Sequence, residues 1–502
     1  MRAIDSSRLL VAARDLSALV VAMAVMVFAT AVGWQGLVAV CALSAALLFL
    51  VLLHARTEHR REWLLLVVLG GLLVLPLASR LSRAPLLPVW QVTLLMLAFI
   101  GIGPFMAAVR ESRWLSWALL LFFFYLAIGI TSSMLGRTRT LAGVYQFISD
   151  LKPILLLMLG YGLRWDDRME RWLWAVVRWA WLPMLAMVAF EWSAPGLYYK
   201  LMFSHGGVAL SVAPAAGLLP SRASGIFEHP SMLATAAALL ALLALSRALS
   251  EHADHRGRAL RWTGVAGLYG VLLICAVQRQ ELVACILAAV FMLLLARPER
   301  AVVRVVALCF VTVPVLLALW MLLKEDIQRE SMLWGVGSLH IESPRAQIFM
   351  GAFDLAQRNH PFGAGLGTFA GAGAEKFDLS LYHELGFARY WWWGKQDYLM
   401  DTYWPNPIAE IGVYGTACLL LCYVALLFHA AMRAISSTQL ARGYWLAAAS
   451  MMAYELMLSA TSPAFQDPRL FLLPAVMYGI AWQCAKWESP PGGDLMPRKA
   501  RS

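Results

Sequence analysis

Charge is what this sequence has least of. Of its 502 residues, 14% are Asp, Glu, Lys or Arg, against 61% that are hydrophobic. A soluble domain carries roughly 25% charged residues, so the composition excludes a water-soluble globule. Cysteine is scarce too: Cys41, Cys275, Cys285, Cys309, Cys418, Cys422 and Cys484 all lie in apolar segments. No spacing among them suits a disulfide framework or a metal site, and they read as small hydrophobic packers. Also missing are a Walker A loop, a GxGxxG fingerprint, a GxSxG elbow and any Asp- or His-rich metal spacing. Nucleotide-dependent and serine-hydrolase chemistry therefore find no motif here, and neither a metal nor a cofactor is expected.

Long apolar runs are what the sequence does have. At about 20 apolar residues per bilayer crossing, the chain divides into about 14 spans. They fall near residues 16–34, 36–53, 63–79, 90–109, 114–133, 146–163, 172–192, 231–249, 263–277, 282–296, 303–323, 406–428, 443–461 and 470–485. The first run is too long for a signal peptide and shows no cleavage site. The expected fold is all-α, a polytopic transmembrane helical bundle. With the N-terminus inside, the inner segments include "HARTEHRRE", "RWDDRMER", "SEHADHRGRALR" and "RPERAVVR", each with arginine. The positive-inside rule then places both ends in the cytoplasm and accounts for a net charge of +11 without nucleic acid.

Four regions follow: residues 1–323 with spans 1–11 and an outer loop at 193–230, a large outer loop at 324–405, spans 12–14 at 406–485, and an inner tail at 486–502. The large loop is rich in Trp, Tyr and Phe, which argues against disorder. Its periodicity predicts a helix over 344–358, and "PFGAGLG" reads as a tight turn.

Ionisable residues gather at the outer side. Arg222 lies in "SRASGIFEHP" and reads as a phosphate fork or as a snorkelling or capping residue. Arg279 and Glu281 lie in "VQRQEL", a connection so short that both sit at the membrane face, as functional residues or as a local pair. Arg345 opens the helix over 344–358, where a cation is disfavoured by the dipole; Arg358 closes it, where one is favoured. His360 before Pro361 reads mainly as a C-cap. Asp397, Asp401 and Glu410 stand at the mouth of the twelfth span, as a general base or, for Asp401 and Asn406, as helix caps. Asp150 and Lys152 suggest an outer ion pair, and Glu455 a hydrogen-bonding group in the bundle core. The "YWWWG" run at 390–394 suits an interfacial belt, with sugar stacking as the alternative. No internal repeat is visible.

Three stretches together resemble the O-antigen ligase / O-antigen polymerase superfamily of bacterial inner-membrane proteins. They are "RASGIFEHPSMLA", "VQRQELVAC", and "SPRAQIFMGAFDLAQRNHPFGAGLGTF" followed by "DTYWPNPIAEIGVYG", covering about a quarter of the chain. The resemblance implies a GT-C-like glycosyltransferase of the bacterial inner membrane. Its site would be periplasmic, and its donor a glycan carried on undecaprenyl diphosphate. It implies diphosphate-binding roles for Arg222 and Arg279, with Arg345 as a further candidate, and a large loop that covers the site and receives the acceptor glycan. His229, His360, Asp397 and Glu281 are secondary candidates. In the ligases a histidine serves as the proposed base, nine residues before the Glu of an E-x-G helix start; that position here is Asp401. The departure and the number of spans favour a polymerase of O-antigen, capsular or exopolysaccharide repeat units, with a chain-length regulator as a candidate partner. The alternatives are a ligase that moves glycan onto lipid A core or protein, and a lipid-linked oligosaccharide flippase.

Overall fold

A computed structural model describes residues 71–72, 74, 76–77, 86–202, 222–251, 256–296, 344–394, 398–437 and 439–488. The spans expected at 16–34, 36–53 and 303–323, most of that at 63–79, the tail beyond Glu488 and Asp397 lie outside these residues. Among the described residues there is no strand. The helices are α1 (Leu86–Ala98), α2 (Ile102–Glu111), α3 (Arg113–Leu135), α4 (Thr140–Gly162), α5 (Asp167–Trp179), α6 (Trp181–Ser193), α7 (Pro195–Met202), α8 (Pro230–Glu251), α9 (Arg256–Cys275) and α10 (Arg279–Ala296). After these come α11 (Pro344–Arg358), α12 (Ala372–Phe377), α13 (Ser380–Glu384), α14 (Pro405–Ser436), α15 (Gln439–Leu458) and α16 (Pro468–Glu488).

Among the described residues, seven helical stretches are long and apolar enough to cross a bilayer: Trp90–Glu111, Arg113–Leu135, Thr140–Gly162, Asp167–Ser193, Pro230–Glu251, Arg279–Ala296 and Pro405–Ser436. The protein is a membrane protein with a helical bundle. Helices α9, α15 and α16 occupy three further expected windows but fall outside that set. On α3, Trp117, Leu120, Phe123 and Phe124 are exposed, an apolar surface that water would not tolerate and lipid would cover.

Local chemistry explains the helix ends. Ser112 caps α3 by accepting from the Leu115 N–H at 3.4 Å. Asp166 caps α5, accepting from Arg168 N at 2.9 Å and Met169 N at 2.8 Å, while Asp167 and Glu170 complement the dipole of its first turn. Pro183 lacks the N–H that would continue the ladder, and the long stretch breaks at Ala180 between α5 and α6. Where α4 crosses α16, a Cβ on Gly479 would lie 1.8 Å from the Gly160 carbonyl oxygen, so only glycine permits this approach.

The chain ends of these helices sort into two layers. At one end, Ala223 N donates to Cys275 O (3.1 Å), Tyr403 N to Ser459 O (3.2 Å), and Leu366 N to the Ser133 hydroxyl (3.0 Å). This layer holds the outer ends assigned from the sequence and carries the segment with α11–α13. At the other end, Lys486 pairs with Glu111 (2.8 Å) and Arg247 with Glu170 (3.1 Å). The segment with α11–α13 has its own core of Ile348, Leu355, Phe369, Tyr382, Phe387 and Trp392, closed by Ile408 and Ala409 from the start of α14.

Candidate functional site

The stretch from Arg222 to His229 lies at the first layer, and three elements shape it. Ser224 N and Gly225 N both donate to Glu191 Oε2 of α6 at 2.8 Å. Tyr198 of α7 donates its hydroxyl to Gly225 O at 2.7 Å, and the Cys275 carbonyl at the end of α9 takes Ala223 N. Gly225 turns the chain at φ +58°, a region glycine enters without penalty. Arg222 is half-buried at the head of this turn.

His229 closes the stretch at the start of α8. Its Nδ1 accepts from Ser231 N at 3.1 Å and lies 2.6 Å from the Ser231 hydroxyl, the geometry of a cap. Burial, and then the charge of Arg222, lower its pKa below the usual histidine range. The fold therefore favours neutral His229. Its contribution to stability is fully present above the unfolded value near pH 6.5 and is lost as pH falls through the lower folded value. Thermal unfolding at pH 8 and pH 5 should show a steeper acid loss for the native chain than for His229→Asn, which keeps a capping oxygen; equal losses would refute this.

Arg279 and Glu281 open α10, three residues after α9 ends, as the short connection implied. The Arg279 guanidinium nitrogens are shielded from solvent. Glu281 is 4% exposed, its Oε2 has no hydrogen-bond partner, and the charges it feels come from Arg345, Asp401 and Arg222. Residues from four distant segments thus share one site. Within it Arg345 Nε donates to Asp401 Oδ2 at 2.6 Å, both side chains being partly buried. This pair explains how a cation is tolerated in the first turn of α11.

The start of α14 holds the large loop in place. The helix breaks at Gly412 (φ +74°), which frees the carbonyls of Ala409 and Glu410. Ala364 N takes the first at 2.8 Å and Gly365 N the second at 3.0 Å, and the Ser132 hydroxyl also donates to Glu410 O at 2.6 Å. Glu410 Oε1 accepts from Thr368 N (2.9 Å) and Phe369 N (3.1 Å), so this carboxylate clamps the loop. Behind it lies a buried polar knot. Gln146 donates to Asp150 (2.8 Å) and Asn406 (3.0 Å), Tyr125 donates to Asp150 (2.7 Å), and Asn406 donates to Phe369 O (2.9 Å).

Several sequence expectations are corrected by this geometry. Neither Asp401 nor Asn406 caps α14, whose N-cap is Trp404; Asn406 lies inside the helix and bridges the knot. Asp150 is saturated by neutral donors, and Lys152 instead donates to Gln466 O at 3.1 Å, so the suggested ion pair is replaced. Both carboxylate oxygens of fully buried Glu455 have no hydrogen-bond partner, so it is not the core hydrogen-bonding group expected. In "YWWWG", Trp392 is 1% exposed and stacks on Tyr390 in the loop core, whereas Trp391 is 52% exposed. His360 is exposed and meets the Tyr414 ring at 5.8 Å, with no described link to the arginines. Arg358 pairs with Asp354 one turn away.

Two residues escaped the sequence reading. Arg469 grips Asp467 (2.6 Å) and lies 3.6 Å from Glu228 of the Arg222 stretch. The other is Glu191, near the end of the span expected at 172–192. Beside Arg469 and Phe227 lies a small apolar cavity of about 50 Å³, walled by Leu173, Val177, Leu239 and Leu473. Compared with known proteins, the chain matches no family model and no curated sequence.

Proposed function

We propose that this protein is a membrane glycosyltransferase that polymerises oligosaccharide repeat units carried on undecaprenyl diphosphate, at the periplasmic face of the bacterial inner membrane. One observation carries the reading: Arg222, Glu281, Arg345 and Asp401, scattered over 180 residues of chain, converge at one end of an apolar bundle. A small apolar cavity lies beside Phe227 of the Arg222 stretch. The acceptor hydroxyl oxygen attacks the anomeric carbon, the carbon–oxygen bond to the diphosphate breaks, and the leaving group carries the charge. Arg222 and Arg279 grip that charge; planar guanidinium forks suit it without a metal ion. Asp401 takes the hydroxyl proton while Arg345 orients it.

Asp401→Asn should lower turnover by about 10²- to 10⁴-fold, the usual contribution of a general base, with insertion unchanged. Unchanged turnover would leave Asp401 as the tether of Arg345. The decisive experiment places the purified chain in liposomes with a polyprenyl-diphosphate-linked repeat unit. A ladder of lengthening glycan is expected. Transfer of one glycan to a lipid A core acceptor, or movement of the lipid with no new glycosidic bond, would overturn the polymerase.

A further inference from the structure

We infer that Glu191 is a positioning residue that sets the diphosphate grip of Arg222, an inference that rests on the proposed function. Glu191 is 1% exposed at the C-terminal end of α6, in an apolar helix. A carboxylate is an expensive group to place there. Its Oε2 accepts two consecutive backbone N–H groups, Ser224 and Gly225, each at 2.8 Å, while its Oε1 has no hydrogen-bond partner. Simple packing would be served better by an apolar side chain.

Its action falls on the residues directly after Arg222. Ala223 N is held by the Cys275 carbonyl, the next two amides by Glu191, and the Gly225 carbonyl by Tyr198. Successive N–H groups leading into a left-handed residue form a concave anion nest. Here a side chain of the protein fills that nest, which locks the turn. The guanidinium at its head is thereby pre-aimed, and its grip needs less ordering when substrate arrives. The carboxylate meets the backbone of the turn and the Tyr198 hydroxyl that braces it, so it works through Arg222 and is not itself catalytic.

The test uses the full chain in detergent, with farnesyl diphosphate as the probe and farnesyl monophosphate as the control. Glu191→Ala should weaken diphosphate binding by about 10- to 100-fold, the range for losing hydrogen bonds to a charged group. Glu191→Gln keeps an acceptor oxygen for both amides and should restore most of the affinity. The double variant Glu191→Ala/Arg222→Ala should bind no more weakly than Arg222→Ala alone, a non-additivity that a general loss of packing would not produce. Native affinity in Glu191→Ala, or additive losses in the double variant, would overturn the inference and leave the functional reading intact. A native chain that does not prefer diphosphate would sink both. If Glu191→Ala fails to fold, Tyr198→Phe, which removes the hydroxyl that meets Gly225 O and Glu191, should give a smaller loss that also vanishes in the Arg222→Ala background; a loss that persists there would refute the inference.

Discussion

Replacing Arg222 or Arg279 by alanine should abolish polymer in cells while the protein inserts in normal amount. Both residues sit where α9 ends and α10 begins, and the guanidinium of Arg279 is shielded from water. A pre-oriented donor to developing charge is worth about 10²- to 10³-fold in rate, and shielding raises that value. Lysine should rescue poorly at either position, because a point charge cannot replace a planar fork. Glycan banding on gels gives the readout. Single repeat units are expected from each variant; full-length polymer from either would sink the reading. Polymer that forms but stays on its carrier lipid would point to a ligase instead.

The second large effect is structural. Gly412→Val should destabilise the large loop and its contact with the bundle by about 2–5 kcal/mol, combining left-handed backbone strain with overpacking. At Gly412 φ is +74°, and an added Cβ would lie 2.6 Å from the Pro361 carbonyl oxygen. The break there releases the carbonyls that Ala364 and Gly365 take, so a straight helix would reclaim them and evict the loop. Protease sensitivity within 344–394 should rise and the melting temperature fall. Gly267→Ala is the control: its Cβ meets nothing within 4 Å, and alanine favours a helix over glycine. A Gly412→Val protein as stable as this control would refute the account.

What was legible in the sequence follows from range. Helices are local, so periodicity placed α11 at its observed bounds, Pro344 to Arg358, and each span window within the described residues is helical over most of its length. The short link between α9 and α10 was equally plain. The knot of Asp150, Gln146, Asn406 and Gln466 joins residues more than 250 positions apart, and such pairings leave no periodic trace. Glu191 binds backbone amides, which every residue offers, so nothing in the sequence names its partner. Arg469 stands just before the apolar window that begins at residue 470, and was passed over with the loop. The place of Trp392 in the loop core was not legible, because aromatic residues serve a membrane belt and a small protein core alike.

The two halves of the site hang from different supports. The Arg222 turn is braced by α6, α7 and α9, whereas Arg345 arrives on α11, whose base is tied down by the knot and by Glu410. Trp391 and the exposed edge of the loop belong to neither brace. Substitutions along that rim can thus accumulate without slackening either brace. Under the proposed function, a lineage that redraws the rim would exchange the sugar it accepts, while the braces around the lipid carrier are inherited unchanged.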